Sequence, residues 1–131
     1  EFERLVGTWH HDFERLEKQR GFSILHQVYV VLKGANSSIS TPEGLIFFNA
    51  TGNSGMATAG SGDVLSGIIV SLLAQQYTPE EAVVVGTFLH GLAGDIAAVE
   101  KGENALIASD IIECIPKAYK ELFSFNRVSE F

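Results

Sequence analysis

The chain has 131 residues, 46% hydrophobic and 19% charged, and its 9 basic and 16 acidic side chains give a formal net charge of -7. This composition predicts one folded domain or part of one, and it excludes a second full domain and a disordered chain. The acidic balance argues against a nucleic-acid-binding protein. The single cysteine, Cys114, excludes an internal disulfide and fits a reducing, cytoplasmic location. Because no uninterrupted apolar stretch reaches about 20 residues, we expect no membrane span.

The first part of the chain predicts one helix and three extended segments. Charged and apolar residues mix over 13–25 as in an amphipathic surface helix. The run 28–32 is apolar and β-branched, which predicts a strand covered on both faces, as in a parallel sheet. Extended segments at 38–40 and 45–48 flank Thr41-Pro42-Glu43-Gly44, a sequence typical of a hairpin turn.

The second part predicts helices. From Asp63 onward, apolar residues recur along one helical face. The sequence Thr78-Pro79-Glu80-Glu81 combines a cap, a first-turn proline and a glutamate three residues after the cap, so a helix is expected over 79–99. A last helical segment is expected over 109–122, where Pro116 either breaks the helix or opens a further one.

A glycine-rich segment, 52–63, leads directly into the helix that starts near Asp63. Such a turn exposes unpaired amides at the positive end of the helix dipole, which favours an anion. Gly60 and Gly62 would let a phosphate approach the backbone closely. The Rossmann and P-loop motifs are excluded, because the third glycine of G-x-G-x-x-G would fall at Leu65 and no Gly-Lys-Ser/Thr follows. On the glycines alone, a tight structural connection is an equally good interpretation.

Asp63 stands in the first turn of that helix, where the dipole favours its charge by only about 0.3 to 1 kcal/mol. A phosphate oxygen at about 5 Å would oppose it by about 3 kcal/mol at an effective dielectric of about 20. Either Mg²⁺ or a lysine must then neutralise the site, or Asp63 acts as a general base. Lys33, beside a glycine turn, is the candidate lysine. The structural alternatives are a helix cap for Asp63 and a solvated strand end for Lys33.

Two further polar residues fall within the helix predicted over 79–99. His90 is expected to be a packed or hydrogen-bonded histidine rather than a metal ligand. Asp95 is expected to be solvated or to bind a local partner.

Three segments together resemble a known family. They are Lys33-Gly34-Ala35, the string from Asn53 through Met56-Ala57-Thr58-Ala59-Gly60-Ser61-Gly62-Asp63 to Ile69, and Leu89-His90-Gly91-x-Ala93-Gly94-Asp95. They are similar to the C-terminal half of the ADP-dependent NAD(P)H-hydrate dehydratases of the ribokinase-like superfamily. The Gly-x-Gly-Asp core is shared across the superfamily, whereas the longer string is characteristic of the dehydratases.

The resemblance implies an α/β fold, a three-layer α/β/α architecture with a mainly parallel sheet, in which residues 1–131 form the C-terminal part of a single domain. It also implies ADP-dependent removal of water from the S form of NADH or NADPH hydrate, giving AMP and phosphate, with Mg²⁺. Carried over by position, the residues implied to contact the nucleotide are Lys33, Gly34, Ala35, Asn36, Ser37, Gly60, Ser61 and Gly62. Asp63 would meet the hydrated nicotinamide and act as base, with Asn53 as a second substrate contact.

Further expectations follow from the same resemblance. The family's Pro-His-Pro segment and the first half of the domain would lie upstream of Glu1, and relatives often form homo-oligomers, including tetramers. Two alternatives stay open: an ATP-dependent kinase of a small-molecule hydroxyl within the same superfamily, and a truncated, non-catalytic subunit that binds nucleotide or a partner.

Overall fold

The computed structural model describes residues 1–34 and 36–125. The chain divides into two compact units, Glu1–Asn49 and Ala50–Phe131. Each unit has its own secondary structure and its own interior.

The first unit contains two helices followed by three strands. In chain order these are α1 (Phe2–Val6), α2 (Asp12–His26), β1 (Val30–Leu32), β2 (Ser37–Ser40) and β3 (Ile46–Asn49). The strands form one sheet in the order β1-β2-β3, and both pairs are antiparallel. The helix expected over 13–25 is therefore confirmed as α2, whereas α1 has no counterpart among the sequence predictions.

The predicted hairpin is confirmed between β2 and β3. Ser40 pairs with Ile46, and Gly44 in the connecting turn has a φ of 87°. The strand expected over 28–32 differs from its prediction, because its ordered part, β1, is only half-buried and pairs antiparallel with β2. The connection from β1 to β2 is four residues long, and a parallel pair would need a crossover of about a dozen residues or more.

A buried polar contact joins α2 to this sheet. Gln19 is fully buried, and its side-chain amide donates to the carbonyls of Val30 (3.0 Å) and Ser38 (3.1 Å). The Ser38 hydroxyl donates back to Gln19 Oε1 at 2.7 Å. Because a one-residue slip would leave these buried groups unpaired, the contact fixes the register of α2 on β1 and β2.

The second unit is helical. It contains α3 (Ser61–Ala74), α4 (Pro79–Lys101) and α5 (Ala108–Phe125), with single 3-10 turns at Ser54–Met56 and Glu103–Ala105. α4 packs against both other helices, and the main core lies between α4 and α5. The core side chains are Leu89, Ala93, Ala97, Leu106, Ile111, Cys114 and Ala118.

The start of α4 follows the sequence prediction. Thr78 Oγ1 accepts the amide of Glu81 at 3.2 Å, and Glu81 Oε2 accepts the amide of Thr78 at 2.9 Å. This reciprocal capping box satisfies two amides that the helix itself cannot. By length and composition alone, α4 is also long and apolar enough to cross a membrane, although charged residues interrupt its apolar sequence. Core helices share that property, and 56% of its apolar window is buried inside the structure.

Pro116 neither breaks nor restarts a helix, which corrects the expectation of two segments. α5 continues through Pro116 to Phe125. The buried residues Ile111, Cys114 and Ala118 lie on one face before and after the proline, while Pro116 itself is exposed. Packing of this continuous face on α4 outweighs the loss of one backbone hydrogen bond.

Candidate functional site

The turn into α3 presents backbone amides without a side-chain cap. Gly60 is the N-cap residue, lies in the left-handed region with a φ of 85°, and offers no side-chain acceptor. The first helical bond runs from the Val64 amide to the Gly60 carbonyl at 3.1 Å. The amides of Gly62 and Asp63 precede that bond, so they belong to the first turn that the helix leaves unsatisfied. This geometry suits an anion.

Asp63 lies in the same first turn, and its side chain is exposed. Gly60 and Asp63 both line a groove of about 560 Å³ between α3 and α5. The other lining residues are Val64, Gly67, Ile68, Ser71, Ala108, Ile112, Ile115 and Tyr119. Asp63 is thus the one charged residue among the described residues that line this groove, and the groove adjoins the candidate anion site.

His90 anchors the beginning of α3. Its side chain is buried, and Nε2 lies 2.9 Å from the Ser61 carbonyl and 3.3 Å from the Ser61 hydroxyl. Nε2 donates to the carbonyl oxygen, which can only accept. The prediction of a hydrogen-bonded histidine is confirmed, and the bond ties the first residue of α3 to α4.

Asp95 holds the start of the glycine-rich segment. Its Oδ2 accepts the amide of Gly52 at 2.9 Å, and its Oδ1 accepts the side-chain Nδ2 of Asn53 at 2.9 Å. Asn53 Oδ1 accepts in turn from the amide of Gly55 at 3.0 Å. The expectation of a solvated or locally paired Asp95 is wrong, because these partners lie 42 and 43 residues away in sequence.

Small residues on α4 make room for the same segment. A Cβ at Gly91 would stand 2.1 Å from Thr51 Oγ1 and 2.7 Å from the Thr51 carbonyl carbon. A Cβ at Gly94 would stand 2.2 Å from the Met56 sulfur. The segment therefore lies directly on bare helix backbone, which fixes its path between Thr51 and the turn at Gly60.

The other predicted nucleotide contacts belong to the first unit. Lys33, Gly34 and Asn36 are exposed in the connection between β1 and β2, and Ser37 is the first residue of β2. Ala35 lies outside the described residues. The candidates 33–37 and 60–63 are thus in different units, and within the second unit the structure brings together Gly60, Ser61, Gly62 and Asp63.

The described residues contain no cluster of side-chain metal ligands, and their one cysteine is buried. Within 1–34 and 36–125, no three His, Cys, Asp or Glu side chains cluster as metal ligands would. Cys114 is buried, and burial raises the pKa of its thiol, so the reactive thiolate is disfavoured. The groups that the second unit offers at the turn are backbone amides and the Asp63 carboxylate.

Comparison with known proteins settles the family. The model of the NAD(P)H-hydrate dehydratase family matches residues 1–117. The chain belongs to this family. The family expected from the sequence motifs is thereby confirmed.

Individual dehydratase relatives agree. The chain is 43% identical, over 93% of its length, to the bifunctional NAD(P)H-hydrate repair enzyme Nnr of Moorella thermoacetica, of which it covers 23%. It is 42% identical, over 82% of its length, to the ADP-dependent (S)-NAD(P)H-hydrate dehydratase of Neisseria meningitidis, of which it covers 38%. The chain therefore spans well under half the length of these relatives.

Solved structures confirm the fold class. The ADP/ATP-dependent NAD(P)H-hydrate dehydratase of Bacillus subtilis, co-crystallised with ATP/Mg²⁺, superposes with a TM-score of 0.85 at 30% identity, covering 92% of this chain and 44% of that one. A ribokinase-like superfamily protein of Enterococcus faecalis gives a TM-score of 0.72 at 30% identity, covering 92% of this chain and 41% of that one. This chain is thus α/β and ribokinase-like, although the three strands of its described residues pair antiparallel and do not form the mainly parallel sheet expected from the resemblance.

Proposed function

We propose that this chain is the nucleotide-binding and catalytic C-terminal part of a single ADP-dependent (S)-NAD(P)H-hydrate dehydratase domain. The observation that carries the proposal is the uncapped turn at Gly60, with exposed Asp63 in the first turn of α3 and lining the groove. The dehydratase names of the relatives support the reaction.

In this proposal the terminal phosphate of ADP lies against the turn Gly60-Ser61-Gly62. The amides of the first helical turn would donate to phosphate oxygens, and Gly60 leaves space because it has no side chain. We also propose nucleotide contacts for the connection 33–37, where Lys33 would supply a positive charge. The family resemblance supports this second contact.

Asp63 would act as the general base on the hydroxyl of the hydrated nicotinamide. It takes the hydroxyl proton while the substrate oxygen bonds to the β-phosphorus of ADP and the bond to AMP breaks. The ring nitrogen lone pair then expels the phosphate as the carbon–oxygen bond breaks. A proton lost from the neighbouring ring carbon restores the double bond. The protein's part is to position these groups and to stabilise charge.

The Asn53 side chain keeps hydrogen-bonding capacity that a substrate could use. Its Nδ2 donates one hydrogen to Asp95 and its Oδ1 accepts from Gly55, so a second amide hydrogen and a second lone pair remain. We assign that second hydrogen to the hydrated ring.

Mg²⁺ fits this site as part of the nucleotide complex. The described residues offer a single carboxylate, Asp63, beside the turn and no cluster of three ligands. Magnesium in nucleotide sites commonly uses one or two carboxylates together with phosphates and water. We therefore assign Mg²⁺ to the ADP phosphates, where it would offset charge repulsion between phosphate and Asp63.

The remaining proposals concern the protein's setting. We propose a cytoplasmic homo-oligomer, with a tetramer as the specific form, acting on small nucleotides and binding neither nucleic acid nor membrane. The net charge of -7 supports the exclusion of nucleic acid, and the single, buried cysteine supports a reducing compartment. Light scattering of the purified full-length protein would test the oligomer.

The test of Asp63 uses the full-length protein that contains this chain. Asp63→Asn should lower kcat for dehydration by about 100-fold to 10,000-fold, the usual contribution of a general base, while the KM for ADP stays within a few-fold. Asp12→Asn is the matched control, because Asp12 is also exposed in the first turn of a helix. It should leave both constants unchanged. Retained turnover in Asp63→Asn would exclude Asp63 as the base.

A kinase is the second candidate, because the Bacillus subtilis relative was co-crystallised with ATP/Mg²⁺. The two functions differ in the fate of the phosphoryl group, which a kinase leaves on its product. Assays that pair ADP or ATP with NADH hydrate, and in parallel with candidate alcohols, separate them. Release of free phosphate with recovery of NADH absorbance supports the dehydratase, whereas a stable phosphate ester supports the kinase.

A further inference from the structure

We propose that Asp95 is a positioning residue, which acts with Asn53 to hold the segment that leads into the phosphate-binding turn. The proposal deepens the function given above and rests on it for the link to ADP. It assigns a role to Asp95, which lies in the segment 89–95 of α4. The phosphate contacts and the general base proposed above do not involve this segment.

The hydrogen bonds of Asp95 are directional and specific. Each carboxylate oxygen accepts one donor, Oδ2 from the Gly52 amide and Oδ1 from the Asn53 side chain, both at 2.9 Å. Asp95 is half-buried, so the loss of either bond would leave a partly buried donor without its partner. One side chain of α4 thus fixes both the backbone and a side chain at the start of the segment.

Local backbone hydrogen bonds follow the chain from Asn53 to the turn. The Asn53 carbonyl accepts from the Met56 amide at 3.2 Å, and the Ser54 carbonyl accepts from the Ala57 amide at 3.1 Å. The next link is from the Ser61 amide to the Thr58 carbonyl at 3.3 Å. These bonds restrict the backbone within 53–57 and within 58–61, so we expect a displacement at Asn53 to move the residues that lead to Gly60.

The segment has little freedom to absorb such a displacement. Met56, midway along it, lies against the bare backbone of Gly94, and Thr51, just before it, lies against Gly91. His90 holds the far end through Ser61. The segment is therefore fixed to α4 at its start, middle and end, and Asp95 supplies the fixed point at its start.

Exchanging the two side chains, with Asp at position 53 and Asn at position 95, tests whether they act as a pair. Two residues that acted independently would give a double variant with the summed defects of the single variants. With Asn53→Asp alone, two carboxylates face each other at about the 2.9 Å now spanned by a hydrogen bond, which is repulsive. With Asp95→Asn alone, one new amide hydrogen faces an existing donor. With both substitutions, the amide at position 95 accepts from Gly52 and donates to the carboxylate at position 53, which still accepts from Gly55. All three hydrogen bonds are restored, and only the bond between the side chains at positions 53 and 95 has its donor and acceptor exchanged.

The experiment measures the two single variants and the double variant in the full-length protein. The readouts are the KM for ADP and the hydrogen–deuterium exchange of residues 50–62. Each single variant should raise the KM for ADP by about tenfold and speed the exchange, with Asn53→Asp the more severe. The double variant should return both to within about threefold of the wild type, and Asp12→Asn should change neither.

KM separates positioning from simple destabilisation, because loss of folded enzyme lowers apparent kcat and leaves the KM of the remaining molecules unchanged. The proposal is overturned if the double variant is no better than Asn53→Asp, if Asp95→Asn matches the wild type, or if exchange changes while the KM for ADP does not. A wild-type protein that does not use ADP would overturn the proposed function alone, because the exchange rates still test the Asp95–Asn53 pair.

Discussion

The side chain of Met56 lies directly on Gly94 of α4, so close that a Cβ at position 94 would stand 2.2 Å from the sulfur and 2.6 Å from the terminal methyl. Gly91, one turn earlier, receives Thr51 in the same way. Gly91 and Gly94 therefore serve a packing purpose, since they allow the glycine-rich segment to lie on the helix backbone.

Substitutions of these glycines should rank by what a new methyl group meets. Gly91→Ala should be the most destabilising, by about 1 to 3 kcal/mol, because the methyl group would strike the Thr51 backbone. Gly94→Ala should cost less, because the flexible Met56 side chain can move. Gly67→Ala on α3 has open space around it and should stabilise the helix by about 0.5 to 1 kcal/mol. Thermal unfolding of the three variants checks this order, and a Gly91→Ala protein as stable as the wild type would contradict it.

The start of α5 should be sensitive to acid. Hydrogen bonds from Lys101 and from the Ile107 amide lower the pKa of Asp110, whose side chain is buried. A lowered pKa in the folded state contributes stability above the unfolded pKa of about 3.9, and that contribution is lost as pH falls toward the folded value. Unfolding measured from pH 6 to pH 2 should therefore show a steeper loss of stability for the wild type than for Asp110→Asn. Parallel acid curves would refute this role.

The double exchange at positions 53 and 95 also tests the proposed substrate contact of Asn53. A carboxylate at position 53 restores the internal hydrogen bonds and lacks the second amide hydrogen assigned to the hydrated ring. The double variant should thus regain a normal KM for ADP while the KM for the hydrate stays raised by about tenfold. Steady-state kinetics with each substrate varied in turn give both values. A normal KM for the hydrate would remove Asn53 from the substrate site.

Pro116 should cost the protein stability. It lies inside α5 and is exposed, so an alanine there would restore a backbone donor and remove the clash of the proline ring with the preceding turn. Pro116→Ala should raise the free energy of unfolding, by up to about 3 kcal/mol. Chemical denaturation measures the change. A less stable variant would show that α5 requires the local distortion that proline imposes.

Local signals in the sequence predicted much of the fold. The capping box at Thr78 and Glu81 and the turn at Gly44 are written in adjacent residues, so α4 and the β2–β3 hairpin could be expected. The helix break predicted at Pro116 is wrong because a distant contact decides the outcome. The face of α5 that contains Ile111 packs on α4, and local helix propensity carries no information about that packing. The antiparallel pairing of β1 was likewise set by a short connection rather than by its apolar composition.

The candidate site likewise has one part that adjacent residues predict and one part that depends on residues far apart in sequence. The turn at Gly60 and the acid at Asp63 are contiguous, so the sequence alone could indicate an anion site. The bond between Asp95 and Asn53 joins residues 42 positions apart, and no pattern in the single sequence marks it. An acidic residue on an apolar helix, as Asp95 is between Gly94 and Ile96, indicates that its side chain has a partner but does not identify that partner.

The account depends most on the first turn of α3 binding the terminal phosphate of ADP. A crystal structure of the full-length protein with ADP and Mg²⁺ tests this directly. We expect a β-phosphate oxygen at about 3 Å from the Gly62 amide nitrogen, with the Asp63 carboxylate facing the hydrate site. A nucleotide whose phosphates bind elsewhere, with the turn at Gly60 contacting no phosphate, would contradict the account.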